Sequence, residues 1–289
     1  MTFLENIDKA NLKKIMLVVI SVLTLVALAL LLVIIILSIA PKTPVTNNDI
    51  KLKDHTVSDK EIQLGTLILA DKDHSYTVDR ELLDLVDCQA HRDSMMTLEG
   101  TSEKNYLPYK NMMLNKTAME NAHKLLTDLR NGVTNAKPVT VDAAFDRIVY
   151  GGGETEGYKT GLLIFLSDNS SDSGSYVALK EEYKTWLNSN AAKYGFVNDF
   201  EDAYRYVGEV HASYITTKKL SLASYVDYLK KNTNVEKPLT IKVDGAEYMV
   251  YFVSCNAGDV IKVLAGMSYT VSGTNDGGVV VTVTVKNSK

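Results

Sequence analysis

The sequence has only two cysteines, Cys88 and Cys255, in 289 residues. That excludes a disulfide framework and a paired C-x-x-C metal site. One bridge would be available in an oxidising compartment, but two buried free thiols is the preferred reading, because free cysteine behaves as a small apolar residue. Charge of one sign is also lacking: 31 basic and 35 acidic residues leave a formal net charge of -4. No basic excess points to nucleic acid. Internal repeats and low-complexity tracts are absent, as are G-x-S-x-G, S-x-x-K and H-E-x-x-H, so no nucleophile or metalloprotease signature stands out.

What is present begins with IMLVVISVLTLVALALLLVIIILSIA, an uncharged run of 26 residues from Ile15 to Ala40. About 20 apolar residues cross a bilayer as a helix. The run exceeds the core of a cleaved signal peptide and is unusually long for a buried helix. Lys9, Lys13 and Lys14 precede it and Lys42 alone follows closely. Positive charge collects on the cytoplasmic side, so the N-terminus is expected in the cytoplasm and everything after Pro41 outside. The expected partition is a cytoplasmic tail 1–14, a transmembrane helix 15–40, a polar extracytoplasmic linker 41–61, a main domain 62–235 and a β-rich appendix 236–289.

Within the exported part, Thr66–Ala70 reads as a short apolar strand. MLNKTAMENAHKLLTDLRNG has helical apolar spacing with a stop at Asn131-Gly132. KPVTVDAAFDRIVY and Leu162–Leu166 read as strands, the second apolar at every position and therefore covered on both faces. VALKEEYKTWLNSNAAKYGF reads as a helix closed by a left-handed Gly195, and SLASYVDYLKKNT as one capped by Ser221. Asp244-Gly245 and Asp276–Gly278 are hairpin signals. The expected class is α+β with a small antiparallel β appendix.

Several of these segments, in this order, resemble VanY-type zinc D,D-carboxypeptidases, which trim terminal D-alanine from peptidoglycan stem peptides. LGTLILADKDHSY is similar to the family's opening strand, and GYKTGLLIFL to its S-x-H-x-x-G-L-A-x-D element. KTWLNSNAAKYGF resembles W-L-x-x-N-A-x-K-Y-G-F, and DAYRYVGEVHASYI resembles the end of E-x-W-H-x-R-Y-V-G-x-x-A. The resemblance covers roughly Gly65 to Lys289 and implies that family's fold. It also implies a place for its zinc: the first ligand His falls at Tyr158, the ligand Asp at Phe165, the second ligand His at Ala203 and the general base at Phe200. The Trp before the second His is Asp202, and the substrate arginine falls near Asp146.

A catalytic zinc needs about three His, Asp, Glu or Cys ligands and an open position for water. Phe and Ala supply none, and a neutral phenol is a poor replacement for imidazole. The ancestral zinc site therefore reads as lost and the general base with it, leaving no catalytic residue, metal or cofactor to expect. His211 reads as a solvent-facing helical residue, His74 as a turn residue, His123 as structural or exposed, and His55 as part of the linker. Asp142, Asp146, Glu154, Glu156, Asp199, Glu201 and Asp202 read as solvated loop charge, and Gly151 to Gly157 as a turn. His91-Arg92-Asp93 has no accompanying kinase element.

Three functions follow. The first is a membrane-anchored, catalytically inactive homologue that binds peptidoglycan stem peptides or a surface protein through the old cleft, with Lys159, Arg205 and Tyr206 as the binding residues. The second is a scaffolding ectodomain using the β appendix. The third is an active D,D-carboxypeptidase with altered catalytic residues. Binding requires an open cleft with polar groups, and scaffolding an exposed apolar patch on the β region.

Overall fold

The computed structural model describes residues 17–24, 51–88, 112–134, 139–145, 156–168 and 177–286. The chain divides into Met1–Asp49 and Ile50–Lys289. In the first unit, residues 17–24 are helical and the rest of the expected 15–40 span lies outside the described residues. Among the described residues no helix is long and apolar enough to cross a membrane.

The second unit is mixed helix and sheet. Its site-bearing sheet is antiparallel, in the order β4 (Val139–Ala143), β5 (Leu163–Asp168), β7 (Ala203–Tyr206), β6 (Phe196–Phe200). All six residues of β5 are buried, the apolar run Leu163–Leu166 as its composition requires and Ser167 and Asp168 with it. Successive side chains of a strand point to opposite faces. Ile164 and Leu166 thus join one core with helix α2 (Lys116–Gly132) and helix α3 (Glu181–Asn190), while Leu163 and Phe165 join a second, smaller one. Asn115 caps α2 through its side chain, which accepts from the Thr117 and Ala118 N–H groups. A 3-10 turn, Ala191–Tyr194, extends α3 to Gly195, which sits at φ 78. Trp186 and Tyr194 stack there, 6.5 Å apart.

The second sheet runs β11 (Ser268–Gly273), β12 (Gly278–Lys286), β9 (Ala246–Ser254), β8 (Leu239–Val243). Asp244 and Gly245, both at positive φ (48 and 80), turn β8 into β9, as the twist of a two-residue hairpin demands. Helices α4 (Glu209–Lys218) and α5 (Leu222–Asn232) cover one face. Ser221 caps α5, and Leu222, Tyr225, Val226 and Leu229 form its buried stripe at helical spacing.

Three expectations change. Thr66–Ala70 is not a strand: the Leu67 N–H donates to Ser272 Oγ and the Leu69 N–H to Thr274 O, so this segment bonds to the β11–β12 end of the second sheet. The 41–61 linker is in part structural. Its residues Leu52–Thr56 form β1, paired antiparallel with β10 (Val260–Leu264), and Asp59–Gln63 form a short helix α1 with a Ser58–Glu61 capping box. Finally, the β region is no appendix. Ile241, Val250, Phe252 and Val280 share one core with Leu67, Leu69, Val197, Val207 and the apolar faces of α4 and α5. A boundary at 235/236 would cut through that core, at a cost of roughly 1.5–3 kcal/mol per large side chain exposed. Cys88 and Cys255 are both buried and unbridged.

Candidate functional site

The positions that the resemblance assigns to zinc and its general base come together. Phe165 on β5 pairs with Ala203 on β7, and Ala203 pairs with Phe200 across the β6–β7 ladder. Tyr158 reaches them from a 3-10 turn, Glu156–Thr160. With Leu163 they form one apolar cluster, in which Tyr158, Phe165 and Ala203 are buried and Phe200 is partly so. The rings of Phe165 and Phe200 lie 6.4 Å apart. Phe, Phe and Ala have no donor atom for a metal. Burial, reinforced by the negative charges of Asp199 and Glu201, pushes the Tyr158 phenol well above its ordinary pKa, so it remains neutral. Its hydroxyl has no hydrogen-bond partner among the described residues. This donor set does not fit zinc, and among the described residues no three His, Cys, Asp or Glu side chains converge elsewhere.

Beside the cluster lies a cavity of about 440 Å3, bounded by Leu69–Asp73, the β6–β7 turn and the first residues of α5. Arg205 forms its floor: two residues along β7 from Ala203, it projects on the same face. One Nη2 N–H of Arg205 donates to Ile68 O. Desolvation lowers its pKa, opposed by the charges of Asp199 and Asp71. The Asp199 carboxyl lines the cavity, where desolvation raises its pKa against the pull of Arg205.

The three binding residues expected from sequence do not converge. Arg205 lines this cavity, whereas Tyr206, next on the strand, points to the opposite face and packs on Phe196 at 5.3 Å. Lys159 is exposed and ion-paired with Glu156. Strand alternation separates the first two, a consequence the motif RYVG does not display. Glu156 also accepts the Tyr76 N–H, so it is an anchor and not free loop charge.

Other expectations are corrected by burial. Asp202 is not solvated: it is 1% exposed, accepts the Leu179 N–H and pairs with Lys184 at 3.2 Å. His211 is buried between helices and sheet, with Nδ1 2.9 Å from Tyr225 Oη and Nε2 3.2 Å from Thr282 Oγ1. Desolvation lowers its pKa to about 4. His123 is half-buried and lowered to about 4 for the same reason. His74 pairs with Asp71 at 2.8 Å within its turn. His55 belongs to β1, between Glu61 and the Tyr269 hydroxyl. Asp146, Glu154 and His91-Arg92-Asp93 lie outside the described residues, as does most of the Gly151–Gly157 turn. Among the described residues no broad apolar patch marks the β region: Val260 is 59% exposed, but its neighbour in space across β1 is Thr56 and the next outward pair is Asp54 with Lys262.

No family model matches the chain. A D-alanyl-D-alanine carboxypeptidase of Enterococcus faecium is 24% identical over 253 residues, spanning 80% of this chain and 79% of that protein. Among solved structures, the vancomycin-resistance D,D-dipeptidase VanXYg, in complex with a D-Ala-D-Ala phosphinate analogue, matches with a TM-score of 0.62 at 17% identity, over 81% of this chain and 99% of that one. VanYB in complex with D-alanine-D-alanine matches over 56% of this chain and 97% of that one, with a TM-score of 0.36 and 14% identity. The resemblance to VanY-type zinc D,D-peptidases read from the motifs therefore holds in overall sequence and in fold.

Proposed function

We propose that this chain, a relative in sequence and fold of the VanY-type D,D-carboxypeptidases, is a membrane-anchored surface protein whose carboxypeptidase-like domain binds peptidoglycan stem peptides without cleaving them. The observation that carries the reading is the single apolar cluster of Tyr158, Phe165, Phe200 and Ala203 at the positions of ligands and base. A metal-bound water is the nucleophile such a site supplies, its pKa lowered from 15.7 towards about 7. Without a ligand set that lowering is lost, and without a general base a further factor of roughly 10²–10⁴ goes with it. Phe165 in place of a carboxylate also supports a settled loss of function, since an unpaired buried charge would be costly. The neighbouring cavity supports binding, because the fold keeps an open, polar concavity beside the filled site. Anchoring rests on the apolar run from Ile15 to Ala40 and its flanking lysines.

The test is a stem pentapeptide ending in D-alanyl-D-alanine, incubated with full-length protein in detergent and zinc. Calorimetric binding with no release of D-alanine is the expected result. Release of D-alanine that disappears with chelator would overturn the reading.

A further inference from the structure

We propose that the cavity floored by Arg205 takes a free α-amino acid as its zwitterion. The inference rests on the reading that this domain binds without cleaving, and it adds a free amino acid as a ligand that competes with a stem peptide for this cavity.

The floor calls for an anion. Arg205 is 2% exposed, and its Nε has no hydrogen-bond partner among the described residues. A guanidinium has five N–H donors, and a desolvated one is stabilised by a carboxylate that accepts two of them. Helix α5 opens onto the same space through Leu222 and Ala223, its first two residues. N–H groups in a helix's first turn have no acceptor within the helix, and the Ser221 side chain takes the Ser224 N–H further in. Eleven residues of aligned peptide dipoles stand behind them.

The rim calls for a cation. Asp73, Asp199 and Glu201 bring three carboxylates to the mouth against the single cation Lys72, while Asp71 is engaged with His74. Glu201 is held at φ 42, a left-handed conformation that costs a non-glycine residue roughly 1–2 kcal/mol. Asn198 fixes it there, donating from Nδ2 to Glu201 O at 2.8 Å and to Ala203 O at 3.2 Å. Such outliers collect where a side chain must be aimed.

A simple anion would be repelled at the rim, and a simple cation at the floor. An α-amino acid has both charges on one carbon, with its carboxylate towards Arg205 and the α5 N-terminus and its ammonium towards Asp199 and Glu201. Leu69 and Phe200 give the remaining wall apolar character, which suits a small apolar side chain. At about 440 Å3 the space falls towards the lower end of the roughly 300–1,000 Å3 typical of small-molecule sites.

The experiment is thermal unfolding of the full-length protein in detergent, titrated with glycine and with each enantiomer of alanine. Acetate and ethylammonium serve as half-ligands, and D-alanyl-D-alanine as the dipeptide. A saturable rise in Tm with at least one amino acid, and none with either half-ligand at equal concentration, is expected. Arg205→Lys could fail to fold, so the decisive variant is Glu201→Gly. It should keep or raise the basal Tm by relieving the left-handed residue, and move the amino-acid midpoint at least tenfold upward. The proposal is overturned if no amino acid shifts Tm, if acetate or ethylammonium alone reproduces the shift, if the dipeptide alone does, or if Glu201→Gly leaves the midpoint in place. Hydrolysis of the dipeptide would instead count against the reading of the domain as non-cleaving, whatever the amino acids do.

Discussion

Phe165 lies directly opposite Ala203 in the antiparallel pairing of β5 with β7, so two positions where the resemblance expects zinc ligands meet as a phenyl ring against a methyl group. Leu163, Tyr158 and Phe200 complete an apolar contact where a polar centre is expected. The replacement is cooperative in the packing sense, since each residue fills space that the others leave.

That packing predicts an asymmetry at Phe165. Phe165→Leu keeps an apolar group and should cost below about 2 kcal/mol in urea unfolding. Phe165→Asp places an unpaired carboxylate among buried neighbours and should cost on the order of 4 kcal/mol, or prevent folding. Equal effects would mean that the position is wetter or more polar than its contacts indicate.

Stability should fall between pH 6.5 and pH 4. His211 is neutral in the folded protein, with a pKa of about 4 against an ordinary value near 6.5, so below pH 6.5 the unfolded chain binds the proton more readily. The loss attributable to His211 reaches about 3 kcal/mol at pH 4. His123 shifts in the same direction and adds a smaller share, being half exposed. Denaturant midpoints measured across this window should slope downward with falling pH, and His211→Gln should flatten most of the slope. An unchanged slope in the variant would place the titration elsewhere.

Gly273 reports whether residues 51–63 belong to the folded unit. A Cβ on Gly273 would meet Ile62 O at 2.1 Å, a backbone atom that cannot swing aside. Gly273→Ala should therefore cost roughly 1–3 kcal/mol. A free tether would leave the variant within about 0.5 kcal/mol of the parent.

Neither thiol should react in the native state. Burial pushes Cys88 up to about 12, and burial likewise raises Cys255. Maleimide at neutral pH should add no label to the folded protein and two after denaturation without reductant. One or no label after denaturation would reveal a bridge.

Legibility in the sequence follows the range of the interactions. Gly195, Ser221 and Asp244-Gly245 announced a helix end, a helix start and a hairpin correctly, because each acts on backbone within a few residues. Strand β5 was legible because burial on both faces leaves no polar position from Leu163 to Leu166. The β1–β10 pairing was not, since His55 pairs with Ile261 across 206 residues of sequence. Thr66–Ala70 has the composition of a strand but bonds to Ser272 and Thr274, which no local pattern encodes. His211 was misread because EVHASYITTK has no clear apolar stripe, so its buried side cannot be told from its outer side by spacing. At the site, the resemblance proposed the positions, but their merger into one cluster and the cavity beside Arg205 needed the sheet register.

The central claim is tested most directly by the zinc content of the purified full-length protein. Elemental analysis after exposure to zinc and desalting should find well below one ion per chain, with the fold intact by circular dichroism. One tightly held zinc per chain, lost together with D-alanine release on treatment with chelator, would contradict the account.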